Sequence, residues 1–175
     1  MFIDPLGRHL AVASRPEAEI LTARDKGFWN VVSIYGRGEN KAVLPHASDV
    51  LFMCFDDVEE ADSRQDRSPQ ATDLVEVFDF IADLDNEPQA APVLFHCQQG
   101  LSRSAAVALS WIYGQLPDSI AREDLAVEIL AELRPQARPN RLVLRHGLSQ
   151  FLPSNQATAM AETLVRHPKL SINRI

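Results

Sequence analysis

Residues 93–113 read VLFHCQQGLSRSAAVALSWIY, and this stretch decides the fold. An apolar run, VLF, leads into a turn that starts with a cysteine and holds an arginine six positions later. A helix of small residues follows. The spacing predicts a strand that delivers Cys97 to a loop, a reversal at Gly100 and a helix starting near Ser102. Loop amides and a helix N-terminus then converge on one point, which makes a preformed cradle for a phosphate-like dianion. A field that holds a dianion also favours thiolate over thiol, so Cys97 is expected to be the nucleophile.

Working outward, HLAVAS (9–14) reads as a strand, and PEAEILTARDKG (16–27) as a helix with proline near its start and glycine after its end. VVSIY (31–35) is a β-branched strand ending at Gly36 and Gly38. GRGENKAVLPHAS (36–48) is loop-like. VLFMCF (50–55) is a continuous apolar run, expected to be a strand buried on both faces. The polar segment 56–71 is read as a loop, in which Ser68 and Pro69 supply the cap and first turn of a helix carrying Leu74, Phe78, Ile81 and Leu84. Residues 102–113 are apolar all round and predict a buried central helix, ended by Gly114 and Pro117. Asp118 or Ser119 is expected to cap a helix running to about Leu133, Pro139 and Asn140 to open one to about Leu152, and Ser154 to cap a last one to about His167. Strands alternating with helices and then helices alone imply an α/β fold, with a central mostly parallel sheet flanked by helices and a C-terminal helical cluster.

A chain of 175 residues suits one domain spanning 1–175, with one buried core. The composition, 23% charged and 46% hydrophobic, is globular. A net charge of −7 argues against nucleic acid or an anionic membrane as the main partner. The first residues contain no sustained apolar run, so neither a signal peptide nor a membrane span is expected. Two cysteines are too few for a disulfide scaffold, and a cytoplasmic, reducing location suits a thiolate. His9, His46, His96, His146 and His167 show no ligand spacing with the cysteines or one another, so no metal is expected. Trp29, Trp111, Tyr35 and Tyr113 read as core or half-buried. Arginines 134, 138, 141 and 145 read as a solvated face.

His96, Cys97, Gly100, Arg103 and Ser104 match H-C-x-x-G-x-x-R-S/T, and here the chain resembles the cysteine-based protein tyrosine phosphatases, specifically their compact dual-specificity branch. The resemblance implies a protein tyrosine phosphatase-like fold, hydrolysis of phosphomonoesters through a thiophosphoryl-enzyme intermediate, no cofactor, and a phosphorylated protein as substrate. Cys97 would attack phosphorus. Arg103 would grip two equatorial oxygens with its planar fork, a geometry lysine lacks. Ser104 would assist the departing sulfur, and His96 would support the loop from behind. Substrate would be bound by Gln98, Gln99, Gly100, Leu101, Ser102 and Arg103.

The chemistry also needs a general acid. The FDD that ends the run 50–55 resembles the acid-bearing segment of compact family members, in which the second aspartate acts. That assigns Asp57, with Asp56 supporting. Asp57 lies 40 residues ahead of Cys97, farther than most of the family carries, so Asp62 and Asp66 stand as rivals. Cys54 reads as a core residue, with a regulatory disulfide to Cys97 as the alternative. Two other functions stay open. An inositol phosphate or phosphoinositide phosphatase is weakly disfavoured by the lysine-free loop, and a phosphate-binding pseudophosphatase is disfavoured by the intact Cys97, Arg103 and Ser104.

Overall fold

The computed structural model describes residues 1–60, 67–84 and 90–174. Five strands form one sheet in the order β1-β2-β5-β3-β4. They are β1 (Phe2–Ile3), β2 (Arg8–Ser14), β3 (Asn30–Tyr35), β4 (Asp49–Cys54) and β5 (Val93–Cys97). Only the β1–β2 pair is antiparallel; the other pairs are parallel. The mostly parallel sheet expected from the alternation is therefore present. β5 lies between β2 and β3 with Cys97 opposite Ser14 at its end. Every residue of β5 is buried, which suits the β-branched and aromatic run VLF and keeps water from the strand that carries the cysteine.

Among the described residues seven α-helices flank the sheet: α1 (Arg15–Arg24), α2 (Ala71–Leu84), α3 (Arg103–Gln115), α4 (Arg122–Leu133), α5 (Arg141–Leu148), α6 (Ser154–Val165) and α7 (Pro168–Ser171). Ala18 of α1 packs with Ala13, Val31 and Leu94 on one face of the sheet, together with Trp29, Ala42 and Leu44. Helices α2 to α7 contribute to the larger core on the other face, around Val12, Val32, Ile34 and Phe95. Residues 103–113 of α3 are all buried, as the apolar pattern predicts. Among the described residues no helix is long and apolar enough to cross a membrane.

Several local expectations are corrected. β4 is an edge strand and not one buried on both faces: Met53 is buried, whereas Phe52 is 39% exposed and lies under the Lys41 ammonium. A continuous apolar run records partial burial on each side as readily as full burial. Ser68 does not cap α2; the helix starts at Ala71, and Asp73 accepts from the Gln70 amide instead. Gly114 does not end α3 but lies inside it, where a Cβ would come within 2.2 Å of the Phe151 ring. Neither Asp118 nor Ser119 caps α4, whose N-cap is Ala121. α5 ends at Leu148, short of Leu152, and Pro153 rather than Ser154 precedes α6. The two-residue β1 and the short α7 carry too little pattern to be read from sequence. Cys54 is half-buried, and β3 separates its strand from that of Cys97. Two interstrand spacings, roughly 10 Å, put the sulfurs beyond disulfide reach. Both are free thiols.

Candidate active site

The carboxyl ends of β2, β3 and β5 converge where the loop 97–102 leaves the sheet, the usual place for a site in a parallel sheet. Gly100 turns that loop. Its φ is 69°, and a Cβ would meet the Ala13 carbonyl carbon at 2.3 Å and the Ser14 nitrogen at 2.4 Å, so only glycine fits against β2. Four of the loop carbonyls accept from neighbouring segments. Gln98 accepts from the Arg15 amide (3.3 Å), Gln99 from the Arg134 guanidinium (3.1 Å), Leu101 from the Arg138 amide (2.7 Å), and Ser102 from the amides of Ala106 (2.9 Å) and Asn140 (3.3 Å). With the carbonyls tied back, none of the amides of residues 98–103 has an acceptor within the protein among the described residues. Unspent N–H donors beside a helix N-terminus are groups that can hold an anion.

Cys97 lies at the base, 2% exposed, with the Ser104 hydroxyl donating to its sulfur at 3.2 Å. A cavity of about 160 Å³ above it is lined by Cys97, Gln98, Gln99, Ser102, Arg103, Asp57 and Glu39. Gly100 and Leu101 do not line it. Arg103 is 3% exposed; its Nη1 donates to the Phe55 carbonyl (3.0 Å) and its Nη2 to both Glu39 oxygens (2.8 and 3.0 Å). Burial alone would lower the guanidinium's pKa, but Glu39, the Cys97 sulfur and Asp57 outweigh it and raise it. Its Nε is buried without a hydrogen-bond acceptor among the described residues.

The two aspartates of FDD part company. Asp56 accepts from the Arg37 amide (2.8 Å) and guanidinium (3.1 Å), a structural tie between the ends of β3 and β4. Asp57 turns to the cavity: its Oδ1 accepts from Ser102 Oγ (2.7 Å) and Asn140 Nδ2 (2.8 Å), and its Oδ2 stands 4.0 Å from Arg103 Nε. Asp62 and Asp66 lie outside the described residues. His96 is buried behind the loop, and burial pushes its pKa down to about 4, so the ring is neutral at physiological pH.

Three residues of this assembly were not singled out for the site by sequence reasoning. Glu39 follows β3 in a glycine-rich loop, 64 positions from the arginine it holds, and nothing in its local sequence distinguishes it from other loop acids. Asn140 was read only as a helix opener; its Oδ1 does accept from the Val143 amide, but its amide group also donates to Asp57 and to the Val58 carbonyl. Arg134 is not a solvated side chain. It links the Gln99 carbonyl to Glu17, which also accepts from the Ser14 amide and hydroxyl. Burial would raise the Glu17 carboxyl, but Ser14 and Arg134 outweigh it and hold it at about 2.

A mostly parallel sheet whose central strand ends in a cysteine loop, with an arginine at the start of a buried helix, is the fold of the cysteine-based tyrosine phosphatases in their compact, dual-specificity form. Solved structures with this fold include human DUSP28 (TM-score 0.57, 20% identity, covering 88% of this chain and 94% of that one) and DUSP15 (0.60, 18%, 94% and 96%). The human tyrosine phosphatase-like serine/threonine/tyrosine-interacting protein is also similar (0.57, 18%, 86% and 93%). At these identities the likeness is one of fold. No protein-family model and no curated protein matches the sequence.

Proposed function

We propose that the protein is a phosphomonoester hydrolase that dephosphorylates phosphoproteins through Cys97. The reading is carried by one observation: Cys97, Arg103 and Asp57 line a single small cavity, and the Cys97 sulfur accepts from the Ser104 hydroxyl. The Cys97 thiolate attacks phosphorus in line, the S–P bond forms, and the ester P–O bond breaks. Arg103 Nε and the loop amides hold the three equatorial oxygens as charge redistributes. Asp57 donates a proton to the leaving oxygen. Because Ser102 and Asn140 both anchor Oδ1, the proton is carried on Oδ2, the oxygen nearer the guanidinium. In the second step Asp57 takes a proton from water, the hydroxide attacks phosphorus, and the sulfur leaves as thiolate, stabilised by the Ser104 hydroxyl. Phosphate and free enzyme result.

The neutral side chains of Gln98 and Gln99 at the cavity wall favour a singly phosphorylated group over a polyphosphorylated headgroup. The fold is shared with a protein named phosphatase-like, so the fold alone does not decide activity. Hydrolysis of p-nitrophenyl phosphate decides it. Wild type is expected to turn over and to be inhibited competitively by vanadate, and Cys97→Ser is expected to abolish turnover. A Cys97→Ser protein as active as wild type would overturn the mechanism.

A further inference from the structure

The cavity above Cys97 and Arg103 has walls that discriminate between the alcohols a phosphate can be esterified to. Those walls are Glu39, Asp57, Gln98, Gln99 and Ser102, and every one of these side chains is polar. Among the described residues no aromatic or aliphatic side chain lines the cavity. The nearby rings are engaged elsewhere. Tyr35 and Phe52 share the Lys41 ammonium, which stands 5.1 and 5.0 Å from their ring centres, and Phe55, whose carbonyl holds Arg103, is buried in the core. Residues 61–66 and 85–89, outside the described residues, include no aromatic residue in their sequence.

A phosphotyrosine ester would bring a phenyl ring in behind the phosphate. Pockets that enclose ring-bearing molecules are lined mainly by apolar and aromatic side chains and measure roughly 300–1,000 Å³. This one measures about 160 Å³ and offers no such lining. The face of a phenyl ring is electron-rich, so the Glu39 carboxylate on the wall repels it. A serine or threonine ester brings a short aliphatic stem and then a peptide backbone, whose polar groups Gln98, Gln99 and Ser102 can meet with hydrogen bonds. The acid points the same way. An alkoxide leaves phosphorus far less readily than a phenolate, so an alkyl ester needs a proton delivered as its P–O bond breaks. Asp57 is held at the cavity by the protein's own donors, Ser102 Oγ at 2.7 Å and Asn140 Nδ2 at 2.8 Å, so its placement does not depend on contacts with the leaving group.

We propose, resting on the hydrolase reading above, that the substrate is an alkyl phosphate monoester, phosphoserine or phosphothreonine in a protein, and that phosphotyrosine is disfavoured by walls with nothing to pack on its ring. In the first step the bond from Cys97 sulfur to phosphorus forms and the alkyl P–O bond breaks. The Asp57 proton passes to the departing oxygen, which leaves as a neutral serine or threonine hydroxyl. Gln99, an exposed side chain on the wall, sets the preference: it supplies hydrogen-bonding groups where a phenyl ring would need a surface to stack on.

The test uses three peptides of one sequence, with phosphoserine, phosphothreonine or phosphotyrosine at the centre of four alanines, and myo-inositol 1-phosphate beside them. Phosphate release is measured with the full chain, and peptide affinity with its Cys97→Ser variant. The phosphoserine and phosphothreonine peptides are expected to show kcat/KM at least tenfold above the phosphotyrosine peptide, and to bind in the same order. Gln99→Phe, which puts a ring on the wall, is expected to raise the ratio of phosphotyrosine to phosphoserine turnover at least fivefold, a shift that general damage to the loop would not produce. A wild-type preference for the phosphotyrosine peptide, or a ratio unmoved in Gln99→Phe, would overturn the proposal. Inositol phosphate turned over faster than all three peptides would overturn its assignment to protein. Absence of turnover on every substrate, p-nitrophenyl phosphate included, would sink the hydrolase reading, and the order of peptide affinities would then decide between alkyl and aryl esters.

Discussion

Arg103 is held by Phe55 and Glu39 through both terminal nitrogens, which leaves Nε without an acceptor among the described residues, 4.0 Å from Asp57 Oδ2. A planar fork held in this way presents one orientation rather than many, and hydrogen bonds to charged groups contribute about 1.5–3 kcal/mol each. Glu39→Gln keeps the shape and removes the charge, and kcat/KM on p-nitrophenyl phosphate is expected to fall by roughly tenfold to a hundredfold. A loss under twofold would show that the guanidinium is aimed without Glu39. His96 gives a second prediction at this scale. Burial holds its pKa at about 4 in the fold, against 6.5 ordinarily, so between those values the unfolded chain binds the extra proton. The stability this residue confers is therefore present above pH 6.5 and is lost as pH falls toward 4, at up to about 1.4 kcal/mol per pH unit. Urea unfolding at pH 7 and pH 5 is expected to show wild type losing about 2 kcal/mol more than His96→Asn. Parallel losses would place the titration elsewhere.

At the scale of elements, the N-terminus of α5 is where Asp57 and Val58 meet the loop 97–102. Asn140 caps the helix through Val143, fixes Asp57 and Val58 with its amide group, and donates its own N–H to Ser102. Asn140→Ala is expected to cost about 1 kcal/mol or more through the lost cap, and to impair turnover in the pattern of Asp57→Ala. Both variants should lose far more rate on alkyl phosphates than on activated aryl phosphates, with Asp57→Ala losing about 10²- to 10⁴-fold on the former. An equal effect on both substrates would assign the acid to another residue. The start of α5 was legible because Asn140 follows a proline and precedes an amphipathic run. The start of α2 was not, because Ser68 offers the same local signal but lies outside the helix, and the Asp73 carboxyl meets the Gln70 amide instead.

Across the whole molecule, the sheet and the C-terminal helices are joined by the packing of α3 against α5. Gly147 makes this approach possible: a Cβ there would come within 2.5 Å of Ser110 Cβ and closer still to its hydroxyl. Alanine would gain up to about 1 kcal/mol in helix propensity, but forcing two buried helices apart costs about 1–3 kcal/mol. Gly147→Ala is therefore expected to lower Tm, at roughly 2–4 °C per net kcal/mol, in a thermal melt. A rise in Tm would mean that the crossing has slack.

The nine residues from His96 to Ser104 determined by themselves that a cysteine, a glycine reversal and an arginine would cluster, because a strand, a tight turn and a helix start bring near neighbours together without help from the rest of the chain. The parallel sheet was legible for a similar reason, since apolar strands alternating with helices have few ways to bury their faces. Only the tertiary structure decided that Glu39 holds Arg103, that Asn140 holds Asp57 and that β4 is an edge. Those facts depend on contacts across 64 and 83 positions and on which strand is last in the sheet, and no local pattern of side chains encodes what lies on the other side of a fold.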